Sequence, residues 1–255
     1  MSNLMVSWQS LSLAFSLVLL ALVLSYRMKL RMGKEMLVAV FRMIVQLVVV
    51  GFLLGRVFQM DQVWITLLLV LLLVFNAALN ATKRARGLSH ALLASFLALG
   101  VTTAVNLFVL VATGSVAFIP AQVIPISGMI AGNAMKAVGL SYSNMRTLFH
   151  DRKQPVMERL SLGATPAQAS EEVLRAARQA ALQPTIDTVR TVGLVTLPGM
   201  MSGLMFAGVD PTKAIMYQIM VYFFILSGTF LSVILSTRVI RPSFFNDQAQ
   251  LIDLP

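Results

Sequence analysis

The chain contains no cysteine, only two histidines and only ten acidic residues among 255. Without cysteine there is no disulfide, no thiolate metal site and no iron–sulfur ligation. The histidines, His90 and His150, fall near loops, so no histidine-rich site lies within an apolar run. Charged residues make up 12% of the chain, against about 25% in an ordinary soluble domain. No GxxxxGK[ST] occurs, so the chain has no phosphate-cradling loop of its own. No HExxH, clustered nucleophile or carboxylate pair within one span is found, which argues against a membrane enzyme.

What is present is apolar sequence. Hydrophobic residues are 58% of the chain and the mean hydropathy is +0.83. Several runs reach the ~20 residues needed to cross the hydrocarbon core of a bilayer. ITLLLVLLLVF (65–75) does not alternate polar and apolar residues as a barrel strand does. The fold class expected is all-α, a polytopic membrane protein forming one transmembrane domain over 1–255. Seven spans are read, at roughly 8–26, 36–57, 63–82, 90–113, 119–144, 184–208 and 212–237. The first lacks the basic start and small-x-small site of a cleaved signal peptide.

The net charge of +10 is distributed in short clusters between apolar runs, which speaks for membrane orientation and not for nucleic-acid binding. Arg27, Lys29, Arg31 and Lys34 fall in the first loop, and Lys83, Arg84 and Arg86 in the third. Arg146, Arg152, Lys153, Arg159, Arg175 and Arg178 lie in the long loop, and Arg238 and Arg241 in the tail. Only Arg56 and Lys213 lie on the opposite side. The positive-inside rule then puts the N-terminus outside and the C-terminus inside, with the long loop, about 145–183, in the cytoplasm.

That loop contains PVMERLSLGATPAQASEEVLRAARQAALQP, from Pro155 to Pro184. Glu158–Leu162 is expected to be helical. Gly163 permits a left-handed turn, and Thr165 can cap a new helix with Pro166 at its first position. Thr165 and Gln168 have the capping-box spacing. The expectation is a helix, a turn and a second helix ending at Pro184, an elbow able to enter a groove on a partner. From periodicity alone it could equally be an amphipathic connector.

The pattern E-x4-G-A-x3-Q, formed by Glu158, Gly163, Ala164 and Gln168, resembles the coupling loop of ABC transporter permeases. One departure is that Gly163 to Pro184 is longer than importers usually allow, so the second helix is extended and the ABC fold type stays open. VIPISGMIAGNAM (123–135), ERLSLGATPAQAS (158–170), TVGLVTLPGMMSGLMFAGVDP (191–211) and KAIMYQIMV (213–221) together resemble the FetB-type (YbbM-like) family. These are iron-export ABC transporter permeases of bacteria, with plant relatives linked to aluminium tolerance. The resemblance implies a half-transporter in the bacterial inner membrane: two copies of this chain with two copies of a separate ATP-binding subunit. ATP and Mg would be held by that partner, and this chain would bind no cofactor.

Two GxxxG motifs, Gly128/Gly132 and Gly199/Gly203, place small residues on one helix face. Pro125 and Pro198 precede them, so each span is expected to kink or unwind there. The pair reads either as tight helix packing or as a weak inverted repeat lining a pathway.

Polar groups within spans are costly. Arg42 and Gln46 share a face of the second span, and Asn76 and Asn80 one of the third, while Asn106, Gln122 and Asn133 add amides. Asp187 can pair with Arg190 or with Arg42. These charges read as a structural ion pair or as a cation gate. Lys136, if deep, opposes a cation path and is expected to reach toward the cytoplasm. Met201 and Met205, next to Met200, form a thioether stripe that can fill a core or bind a soft metal. No oxygen- and nitrogen-rich ligand set for iron is visible. An ABC permease for another cargo or direction stays open, as does an ion-coupled secondary transporter, although its mid-membrane carboxylates are missing.

Overall fold

The computed structural model describes residues 7–57, 62–85 and 87–252, and all regular elements among them are helical. The chain divides into two compact units, 1–59 and 60–255. In the first, α1 (Trp8–Arg27) and α2 (Gly33–Val57) form a hairpin. Ser7 caps α1 by accepting a hydrogen bond from the Ser10 amide at 3.1 Å, satisfying one of the donors that a helix start leaves free. Nearly every apolar side chain of both helices is exposed, Phe41 and Phe52 among them. That is what a helix apolar all round looks like when lipid is its solvent. Arg42 and Gln46 lie on this exposed surface of α2.

The second unit contains α3 (Val63–Thr82), α4 (Ala91–Ala112), α5 (Pro120–Asp151), α6 (Lys153–Ser161), α7 (Pro166–Ala169), α8 (Glu171–Thr191), α9 (Gly199–Phe206) and α10 (Pro211–Ile240). α5 is the central element and packs against α3, α4, α8 and α10. Its buried face follows the helical period through Ile126, Ile130, Ala134, Val138, Ser141, Tyr142, Met145 and Phe149. Two lone glycines bring helices together. A Cβ at Gly139 would lie 3.2 Å from Arg84 Cδ and 3.5 Å from the Ala81 carbonyl oxygen, so α3 approaches closely there. A Cβ at Gly228 would lie 2.9 Å from Asn106 Nδ2 and 3.0 Å from Ile130 Cγ2. Phe244, in the turn after α10, stacks on Phe149 with ring centres 4.2 Å apart, fastening the chain's end to the foot of α5.

Three features depart from the expected elements. α5 continues to Asp151, because its polar last turns pack on protein and need no lipid. α8 runs through Pro184 to Thr191 without ending there. The expected sixth span, 184–208, is discontinuous: α8 stops at Thr191, residues 192–198 are irregular, and α9 begins at Gly199. Gly193, at φ +86°, turns the backbone, and Pro198 cannot donate into a continuing helix. Six helices among the described residues are individually long and apolar enough to cross a membrane. Pro125, by contrast, lies inside continuous α5 and does not unwind it.

Candidate functional site

The elbow is built from local signals. α6 ends in a Schellman motif: the Ala164 amide donates to the Arg159 carbonyl and the Gly163 amide to the Leu160 carbonyl, both at 3.0 Å. The motif requires a left-handed residue after the cap, and Gly163 supplies it at φ +90°. Two residues on, Thr165 and Gln168 form a reciprocal capping box. The Thr165 amide donates to Gln168 Oε1 at 2.9 Å, and the Gln168 amide donates to Thr165 Oγ1 at 3.4 Å. Glu158 is exposed on α6 and accepts from Gln154 Nε2 at 2.9 Å. Ala164 is half-buried. Leu162, at the tip, is 88% exposed, an apolar side chain at the apex of a polar turn.

Two contacts tie the elbow to the helices behind it. Arg159 on α6 meets Glu172 in the first turn of α8 at 2.7 Å. The hydrogen bond and charge of Arg159 hold the Glu172 carboxyl below the usual carboxylate range. Further along α8, Arg178 Nε donates to Thr237 Oγ1 of α10 at 2.8 Å. Burial lowers the Arg178 guanidinium from its ordinary value and Glu171 opposes that shift.

The far end of α8 reaches a cavity of about 560 Å³. Ala181, Pro184, Thr185 and Thr188 of α8 form one wall, and Met129, Asn133 and Lys136 of α5 another. Gln218 and Tyr222 of α10 form a third. Arg84 also lines it, and Pro198, Gly199 and Met200 bring the start of α9. Asn133 Nδ2 donates to the Met129 carbonyl at 2.8 Å. Gln218 is 5% exposed and its Oε1 has no hydrogen-bond partner among the described residues.

Of the expected gate residues, only Asn133 lines this cavity. Asp187 and Arg190 pair with each other at 3.8 Å on the exposed side of α8, where Gln183 also donates to Asp187 at 2.8 Å. Met201 is buried and Met205 half-buried, and neither lines the cavity; their neighbour Met200 does. Cβ atoms at Gly132, Gly199 or Gly203 would meet nothing within 4 Å, and one at Gly128 would reach only Leu73 at 3.6 Å. The GxxxG faces therefore seat no close helix within the second unit; Gly139 and Gly228, which carry no motif, do. Gln218, Tyr222, Thr185, Thr188 and Arg84 were not singled out as cavity residues by sequence reasoning. A polar residue opposite the Asn133 face is the signal that could have pointed to Gln218. Among the described residues no three His, Asp or Glu side chains converge as a metal site.

Comparison with known proteins gives the same coarse picture. The family whose sequence model matches is described as an uncharacterised protein family, UPF0014, and covers residues 8–245. The chain is 50% identical to "Probable iron export permease protein FetB" of Escherichia coli K12, over 96% of this chain and 94% of that one. It is 35% identical to "UPF0014 membrane protein YjkA" of Bacillus subtilis, over 95% and 97%. It is 36% identical to "Protein ALUMINUM SENSITIVE 3" of Arabidopsis thaliana, over 93% and 87%. No solved structure matches it. With its apolar helices and these relatives, the chain is a multi-pass membrane protein of the permease type, and it belongs to the UPF0014 family.

Proposed function

We propose that this chain is the membrane subunit of an ATP-driven exporter in the bacterial inner membrane, with iron as the metal exported. The observation that carries the reading is the elbow. Glu158, Gly163, Ala164 and Gln168 stand at the positions that resemble a coupling loop, and the turn they build is hydrogen-bonded on both sides and tipped by exposed Leu162. The iron cargo rests on the name of the Escherichia coli relative. A separate ATP-binding subunit, two copies of it with two of this chain, supplies ATP and Mg.

The geometry supports a route for coupling. ATP binding closes the partner dimer and displaces the elbow. Arg159–Glu172 passes the displacement to α8, a helix of 21 residues, about 30 Å long at 1.5 Å per residue. The last turns of α8 form a wall of the cavity, and beyond them the chain is irregular at 192–198. A push on one end of α8 thus changes the cavity at the other. Irregular backbone is tolerated at membrane depth where it is buried in protein or faces water.

Co-purification with the ATPase subunits of the same genome tests the reading. One of them is expected to bind this chain. Glu158→Ala and Gly163→Pro are expected to uncouple its ATP hydrolysis from iron uptake into inverted vesicles. Binding to none, or coupling that survives both substitutions, contradicts it.

A further inference from the structure

We infer that the cargo occupies the permease as an anion, so that iron crosses as a negatively charged complex and not as a bare cation. This rests on the export reading above. The cavity beside α9 is lined by Arg84 and Lys136 and by no carboxylate. Neither cation has an acidic partner among the described residues. The start of α9 opens onto the same space through Pro198 and Gly199. A helix start leaves its first amides without intrahelical acceptors and carries a partial positive charge.

The buried Gln218 amide is the independent sign that the space is made for a polar ligand. Gln218 lines the cavity and is only 5% exposed, and its Oε1 has no hydrogen-bond partner among the described residues. A buried unsatisfied amide is costly unless something fills the site. Carboxamide oxygen and nitrogen exchange by a simple flip, so Gln218 can accept from a ligand hydroxyl or donate to a ligand oxygen.

A second cavity of about 560 Å³ lies beyond α9. Its cation is Lys213 and again no carboxylate lines it; its amide, Gln122, is exposed and its Oε1 accepts from the Ala117 amide at 2.8 Å. Met200 lines both cavities. The two spaces therefore meet at one flexible thioether, which can swing aside without breaking a hydrogen bond. Two successive chambers, each lined by a cation without an acidic partner among the described residues, repel a bare divalent ion and attract an anion. The chemistry that fits is a hydroxycarboxylate or phosphate, free or wrapped around a metal.

Binding to the purified full chain in lipid nanodiscs tests this, with three probes: radiolabelled ferric citrate, citrate without metal, and iron(II) alone. Ferric citrate is expected to bind saturably. Lys136→Glu is expected to weaken it about tenfold or more, Lys136→Arg to retain it, and Gln218→Leu to weaken it while leaving the chain monodisperse. Iron(II) alone is expected to show no saturable binding. Saturable iron(II) binding that Lys136→Glu strengthens overturns the inference, as does failure of both citrate probes to bind. Citrate that binds through Lys136 while ferric citrate does not would leave the anion site standing and remove iron as the cargo.

Discussion

The Arg159 guanidinium lies 2.7 Å from the Glu172 carboxylate, joining the helix before the elbow to the helix after it. Both side chains are substantially exposed, at 37% and 62%, so the pair orders the turn more than it stabilises the fold. The carboxyl is held below its ordinary range, first by the hydrogen bond from Arg159 and then by its charge. A depressed folded value means the contribution is complete at neutral pH and fades as pH falls through that value, below the usual carboxylate range. The protection factors of the Gly163 and Ala164 amides, each taken against intrinsic exchange at the same pH, are therefore expected to fall on acidification in the native chain. In Glu172→Gln they are expected to be lower at neutral pH and to lose that dependence.

Gly163 is the position where backbone alone sets the cost. A Cβ there meets nothing within 4 Å, yet φ is +90°. Gly163→Val is expected to destabilise the elbow by about 1–2 kcal/mol, the penalty of a left-handed L-residue, and Gly163→Asn by less. Limited proteolysis between α6 and α8 reads the difference.

The capping box makes a separable contribution. Thr165→Ala is expected to cost about 1 kcal/mol of local helix stability, and Thr165→Ser far less. Loss of protection at the Gln168 and Ala169 amides is the expected signature.

Gly228 and Gly132 form a matched pair of tests for helix packing. Gly228→Ala pushes a methyl against Asn106, Ile130 and Thr102, at 2.9, 3.0 and 3.3 Å. The Asn106 amide is already donating to the Thr102 carbonyl at 2.9 Å and cannot simply withdraw. A loss of about 1–3 kcal/mol is expected, as for other overpacked cores. Gly132→Ala, with no atom within 4 Å of the added methyl, is expected not to lower the thermal transition of the detergent-solubilised chain, alanine being the better helix former.

These elements differ in how far the sequence alone discloses them. The elbow is legible because its signals are local: Gly163 for the turn, Thr165-Pro166 for the start, Gln168 for the box. The apolar helices are legible because lipid demands length and hydrophobicity. Pro184 misleads, since a proline reads as a boundary, yet α8 passes through it with Thr188 Oγ1 donating to the Pro184 carbonyl at 2.8 Å. The foot of α5 misleads because polar turns packed on protein carry no hydropathy signal. Gly139 and Gly228 carry no motif, and the cavity joins Arg84 of the turn after α3 to Lys136 of α5 and Gln218 of α10, which only tertiary packing brings together.

The most direct test of the account is a cross-link from the tip of the elbow. The chain has no native cysteine, so Leu162→Cys introduces a single thiol at a side chain that is 88% exposed. Phe108→Cys, on an exposed apolar face of α4, is the control. The account predicts that a short bifunctional reagent joins position 162, and not position 108, to one ATP-binding subunit, with a yield that changes when ATP is added. No cross-link from position 162 to any such subunit, or an equal yield from both positions, would contradict it.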